Sequence, residues 1–427
     1  MSVLLVVLLI LNAVFILLMP WITPLFAPGC ADTPEKFQLT VVLSQITFPY
    51  ILFISLVSLL GGVLNACGKF AAPAANPILL NLCMIAGMLF LDPFSPTPAH
   101  ALSYAVFLAG IVQLGWLVYI CARLEVLPAI ATPRLTAQVK TMLILMAPAA
   151  LGSGVQQLNL LIDVVIASHL PNAVSYLYYA DRITELPIGV IGVAVGTVLL
   201  PMLSKQIRSG QQDEARTSMN RALELVLLFG LPATAALLMV GSPVIRVLYQ
   251  HGAFTEENRI ATEAALMAFT LGLPAFLAVK IFAPGFYANH DTKTPFKIAL
   301  VCVVVNLVLN LALMGPLKHV GMALATTLAG WVNVALMARI LHRRGVFVPD
   351  RLLRTRLLKI LASCGVMCLS LLLVESLAAP YYHATMVTRA AVLGAVIALG
   401  MLSFGIAVLA FNAYDRRLVM RVFRRGQ

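Results

Sequence analysis

Apolar runs of about 20 residues recur from one end of this chain to the other, and that recurrence limits the fold more than any single motif. MSVLLVVLLILNAVFILLMPWI at residues 1–22 and AAVLGAVIALGMLSFGIAVLAF at 390–411 are typical. Each run is long enough to cross a hydrocarbon layer of roughly 30 Å as a helix. Hydrophobic residues make up 61% of the 427, and charged residues only 11%. A water-soluble core of this length needs far more charge to cover its surface. Transmembrane barrel strands would show runs of about 10 residues alternating with period two, and no such pattern occurs. The expected fold class is therefore all-α, a polytopic helical membrane protein.

Twelve spans are expected, at 2–26, 38–66, 73–92, 98–122, 140–168, 174–203, 217–249, 260–289, 295–315, 319–341, 356–378 and 386–412. Pro148, Pro187, Pro232, Pro274 and Pro284 fall inside spans, where each removes a backbone hydrogen bond and permits a kink. The basic residues set the topology. Loops and tail after the even-numbered spans hold 22 of the 29 Lys and Arg, whereas the other side holds Lys36, Arg246, Arg259, Lys318 and Arg389. By the positive-inside rule both termini are expected in the cytoplasm. The net charge of +12 then reflects orientation in a membrane, not binding to nucleic acid. The basic tail DRRLVMRVFRR also suits contact with anionic lipid.

Neither Ser-His-Asp, Cys-His, HExxH nor GxxxxGK[ST] patterns are visible, so no enzyme class follows from motifs. The seven cysteines show no CxxC spacing, and neither a disulfide framework nor a zinc site is expected. FAPG occurs at Phe26–Gly29 and again at Phe282–Gly285, a weak sign of internal duplication.

Charge within the spans carries more information. Arg182, in YYADRITELP, lies well inside a span, with Glu185 three residues on and Asp181 one turn before that glutamate. An arginine at mid-bilayer costs at least about 2.5–3.5 kcal/mol unless paired or hydrated. Two readings stand together: a self-satisfied Arg–Glu pair, or a cavity arginine that grips phosphate oxygens through its bidentate fork. Lys280, in FLAVKIFAPGFY, is either a further cavity cation or a snorkelling chain. A second group spans three segments: Asp163, Asn306, Asn310 and Thr326. These are hard oxygen ligands suited to a small cation, or else the ordinary interhelical hydrogen bonds of a membrane bundle.

Four strings then point to a family: ITFPYILFISLVSLLGGVLNA, YYADRITELPIGVIGVAVGTVLLPMLSK, VKIFAPGFYANHDTKTPFKIA and GPLKHVGMALATTLAG. Across nearly its whole length the chain resembles the MurJ/MviN lipid II flippases, within the superfamily of multidrug and oligosaccharidyl-lipid exporters. The resemblance implies two helical lobes around a cationic cavity and a final helix pair forming a groove for a lipid tail. It implies movement of an undecaprenyl-pyrophosphate-linked peptidoglycan precursor from the inner to the outer leaflet by alternating access. It makes lipid II, membrane lipids and other cell-wall synthesis proteins the expected partners, and no nucleic acid. Arg182 matches the family's cavity arginine, with Glu185 and Lys280 as companions in substrate binding. Asp163, Asn306, Asn310 and Thr326 fall where some members bind sodium.

Such proteins have fourteen helices, and the family's first two, with an RxxGxxRD-type arginine motif, precede the part matched here. The domain layout expected is an N-terminal lobe of four helices at 1–135, a C-terminal lobe at 136–345 and the final pair at 346–427. Two other classes stay open on the residues: a cation-coupled drug exporter of the same fold, using Asp163, Asp181 and Glu185, and a non-transporting fragment. The YYADR and APGFY strings argue against the exporter.

Overall fold

A computed structural model describes residues 2–30, 33–128, 132, 140, 154, 157–383 and 385–413. Span 140–168 is covered only from 157 apart from isolated positions, and Pro148 and the basic tail from 414 lie outside the described residues. Helices account for nearly all of what is described, with no strand among the described residues. They are α1 (Ser2–Phe26), α2 (Pro34–Thr47), α3 (Tyr50–Ala66), the short α4 (Ala71–Ala74), α5 (Asn76–Phe90) and α6 (Pro98–Arg123). There follow α7 (Gln157–Ala167), α8 (Ala173–Pro187), α9 (Val193–Arg208), α10 (Gln212–Tyr249) and α11 (Glu256–Thr270). The last four are α12 (Leu273–Tyr287), α13 (Lys293–Arg343), α14 (Arg351–Ala378) and α15 (Met386–Ala410).

Nine stretches among the described residues are long and apolar enough to cross a membrane. The twelve expected spans are reconciled with that number by two elements and one gap. Helix α13 has 51 residues, about 76 Å if straight, which is more than two membrane thicknesses. At Lys318 its backbone turns to φ 50° and ψ −133°, dividing it into two arms. A Cβ on Gly321 would sit 2.4 Å from the Leu313 carbonyl oxygen, so only glycine lets the arms close there. The run from α8 to α9 is broken by charges and by a π-helical segment, Ile188–Gly192, just after Pro187. Proline lacks the N–H that the regular ladder needs, and a π turn is one way to absorb the fault.

The chain forms two compact units, Met1–Leu151 and Gly152–Gln427. In the first, α6 is the hub against which α2, α3 and α5 pack. Its buried face is built from Ala101, Ser103, Ala105, Ala109 and Gly110. Small residues permit close helix approach without help from a hydrophobic effect: a Cβ on Gly87 would fall 2.3 Å from that of Ala105. Gln113 fixes the register, donating to the Asn76 carbonyl at 2.8 Å and accepting from the Tyr50 hydroxyl at 3.1 Å.

In the second unit α10 plays the same part, packed by α9, α11, α12, α14 and α15. At one end, buried Glu224 accepts from both Arg221 and Arg356, and Arg221 also reaches Asp350. Asn220 donates to the Val348 carbonyl at 2.9 Å, so the connection into α14 is tied to α10. Outward faces are apolar: Leu369, Leu373, Leu377, Met401 and Ile406 on α14 and α15 are all exposed. Lipid is the solvent that makes this stable. The two FAPG copies differ: one ends α1, and the other lies within α12.

Candidate functional site

Helix α8 buries Ala180, Ile183 and Thr184, which turns Tyr178, Arg182 and Glu185 to the opposite, open face. Residues three and four apart are neighbours on a helix. Arg182 Nη1 donates to Glu185 Oε2 at 2.9 Å, and Nη2 donates to the Tyr178 hydroxyl at 3.0 Å. The guanidinium also lies over the Tyr178 ring, 4.8 Å from its centre. The Arg182 and Glu185 side chains are 54% and 52% exposed. The pair is thus self-satisfied yet open, with the guanidinium held in place by Glu185 and Tyr178. Tyr178 was not among the residues singled out from sequence; its spacing of four from Arg182 was the available signal.

Lys280 is exposed, although α12 is otherwise mostly buried. Its stem passes over Gly192, where an added Cβ would meet Lys280 Cγ at 3.3 Å. Lys280 therefore reaches the π segment ten residues beyond Arg182, roughly 15 Å along the rod at helical rise. The two cations do not touch, but both are carried on elements of the second unit around α8 and α9.

The second group comes together fully. Asn310 donates through Nδ2 to Asp163 Oδ1 at 2.6 Å. The Asn306 amide is best satisfied with its nitrogen toward Asp163 Oδ1, at 2.9 Å, and its oxygen accepting from Thr326 Oγ1 at 3.2 Å. Asn159 approaches the other carboxylate oxygen at 3.3 Å. Asn306 and Asn310 are buried, and Asn310 Oδ1 has no hydrogen-bond partner among the described residues. The hairpin of α13 makes this cluster: it folds Thr326, on the second arm, back beside Asn306, on the first. With both amide nitrogens turned to the carboxylate, the cluster as it stands is an interhelical hydrogen-bond network, and the Asn310 oxygen is its one ligand atom without a partner among the described residues.

Sequence reasoning did not anticipate the role of Asp291, in the string APGFYANHDTKTP. Its Oδ1 accepts from Thr294 N at 2.9 Å and caps α13, while Oδ2 accepts from Thr294 Oγ1 and from Arg344 Nη1, both at 2.6 Å. Arg344 follows the far end of α13, so one carboxylate closes both ends of the hairpin. Burial by itself would raise the Asp291 pKa, but the hydrogen bonds from Thr294 and Arg344 outweigh it and hold the group down at about 2.

Comparison with known proteins places this architecture. A family model described as lipid II flippase MurJ matches residues 1–392. A probable lipid II flippase MurJ of Rhizobium tropici is 39% identical over 430 residues, covering 99% of this chain and 80% of its own. One from Rickettsia prowazekii (strain Madrid E) is 38% identical over 406 residues, with 94% and 80% covered. A solved structure of lipid II flippase MurJ in an inward closed conformation superposes with a TM-score of 0.79 at 26% identity, covering 97% of this chain and 82% of that one. An inward-facing multidrug MATE transporter of the MOP superfamily matches with a TM-score of 0.66 at 16% identity and shares the fold alone. With a family match over most of its length, relatives near 40% identity and the same helical fold, this chain belongs to the MurJ family of lipid II flippases.

Proposed function

We propose that this chain moves lipid II from the inner to the outer leaflet of the cytoplasmic membrane by alternating access, for cell-wall synthesis. The observation that carries the reading is the open Tyr178–Arg182–Glu185 face on a membrane helix of a MurJ-family chain. A pyrophosphate cannot enter a low-dielectric layer unpaired without a large desolvation cost. Guanidinium offers two parallel donors to phosphate oxygens, and Glu185 and Tyr178 hold those donors when no anion is bound. Lys280 supplies a second positive charge on the same unit. The polyprenyl tail stays in lipid along the apolar face of residues 346–427, and the lobes at 1–135 and 136–345 rock about the head group. With the basic side and both termini in the cytoplasm, the membrane potential favours outward movement of an anion by about 2.3 kcal/mol per charge per 100 mV.

Sodium is the cation we assign to the Asp163 cluster, with Asn306, Asn310 and Thr326 as its other ligands. When bound it would supply a charge that joins α7 to both arms of α13. A ligand that binds only the folded protein at a hundred times its Kd adds about 2.7 kcal/mol of stability. Sodium, but not an equal ionic strength of choline, is therefore expected to raise the melting temperature of the purified chain, and Asp163→Asn to remove that rise. Equal melting in both salts would refute the assignment.

The test of the main reading is Arg182. Arg182→Ala is expected to lower lipid II translocation by about tenfold or more, and Arg182→Lys by less, because lysine keeps the charge but not the fork. Unchanged translocation in Arg182→Ala would remove this residue from the mechanism.

A further inference from the structure

A cavity of about 430 Å³ opens in the second unit where α8 begins, α10 ends and α11 begins. That is within the size range of small-molecule sites. Three rings interlock along one wall: Tyr179 lies 4.7 Å from Tyr249 and 5.6 Å from Phe254, centre to centre. The other wall is polar and carries Asn172, Ser175 and Asn258, among others. Tyr176 donates to Asn258 Oδ1 at 2.9 Å and packs its ring 5.2 Å from His319, which braces that wall against α13. Among the described residues no Asp, Glu, Lys or Arg lines the space, and His251, an exposed imidazole, is the one titratable side chain there besides the tyrosines.

This combination restricts the occupant. An ion would meet no carboxylate, ammonium or guanidinium there to offset its lost hydration. A purely apolar group would leave the amides and hydroxyls unpaired. What fits is a neutral group with apolar C–H faces for the rings and several hydroxyl or amide edges for the polar wall, which describes a sugar. Tyr and Phe rings beside a few placed polar groups are the usual makings of a small-molecule site.

Arg182 lies outside this lining but near it, on the same helix as Tyr179. From the guanidinium to the Tyr178 ring is 4.8 Å, and from that ring to Tyr179 is 6.2 Å. A pyrophosphate on Arg182 would have its attached sugar within reach of the aromatic wall. We propose that this cavity seats the sugar next to the pyrophosphate of the transported lipid; the assignment rests on the reading of Arg182 given above. By the expected topology the cavity lies at the outer end of the unit, so it holds the head group on its way out.

The experiment measures binding to the purified chain of two probes: a polyprenyl pyrophosphate with no sugar, and the same lipid carrying one N-acetylhexosamine. Tyr249→Leu and Asn258→Ala are expected to weaken the sugar-bearing lipid about five- to tenfold and leave the bare lipid unchanged. Tyr249→Phe, which keeps the ring and the packing, is expected to bind both like the parent chain, and Ser175→Ala, at an exposed position of the polar wall, is expected to weaken only the sugar-bearing lipid. Equal weakening of both lipids, or of neither, would overturn the proposal. Arg182→Ala separates it from the underlying reading. If that variant binds the bare lipid normally while Tyr249→Leu still loses only the sugar-bearing one, the pyrophosphate assignment fails and the cavity stands.

Discussion

Asp291 shows how one side chain can serve a fold whose sequence gives no hint of the geometry. It caps α13 at Thr294 and reaches Arg344 beyond the other end, 53 residues later. With its pKa lowered from 3.8 to about 2, the contribution is fully present above pH 4 and lost as pH falls toward 2. Asp291→Asn is therefore expected to lower the melting temperature at neutral pH, with the gap to the parent narrowing from pH 4 down through pH 2; a gap as wide at pH 2 as at neutral pH contradicts this. Arg182 and Glu185 were legible in the sequence because a spacing of three puts them side by side on any helix. Tyr178 was equally well spaced, but a hydroxyl and a ring face accept an arginine only in one side-chain conformation, which spacing does not specify. The partners of Asp291 were out of reach altogether, since they depend on a hairpin closing over fifty residues.

Hydropathy placed two spans, 295–315 and 319–341, on what is one helical run broken at Lys318. The count was legible because apolar length is a property of composition. The turn was not, because its φ of 50° and ψ of −133° belong to glycine and lysine holds it. Such conformations cost of order 1–3 kcal/mol. Lys318→Gly is expected to raise stability by about 1 kcal/mol, read as a higher melting temperature in detergent. Gly321→Ala is expected to do the opposite, since its Cβ would strike the Leu313 carbonyl. A neutral Gly321→Ala would mean the arms are less tightly closed than the structure has them. The same hairpin brings Thr326 to Asn306, so the candidate cation cluster and the turn stand or fall together.

At the scale of the molecule, the uneven distribution of Lys and Arg is expected to orient the chain with its termini in the cytoplasm, and the structure gathers several of the basic helix ends together. The Glu224 cluster, Gly345 and Asp291 all gather at the basic ends of α10, α12, α13 and α14. A fluorescent protein fused after Gln427 is expected to fluoresce, as it folds in the cytoplasm but not across the membrane; a dark fusion in a well-inserted chain would reverse the topology. Family, helical class and membrane character were all readable from apolar runs and four strings, because lipid imposes its rule on every residue of a span. The aromatic cavity beside Arg182 was not, since it is assembled from two segments, 172–179 and 249–258, that are well apart in sequence.

The most direct test of the account is transport itself. Bacteria depleted of their own lipid II flippase would express this 427-residue chain or its Arg182→Ala variant, with growth and lipid II translocation followed in each. Translocation is expected with the parent chain, and a loss of about tenfold or more with Arg182→Ala, at equal membrane levels. Equal translocation by the two, or none by a well-inserted parent chain, would contradict it.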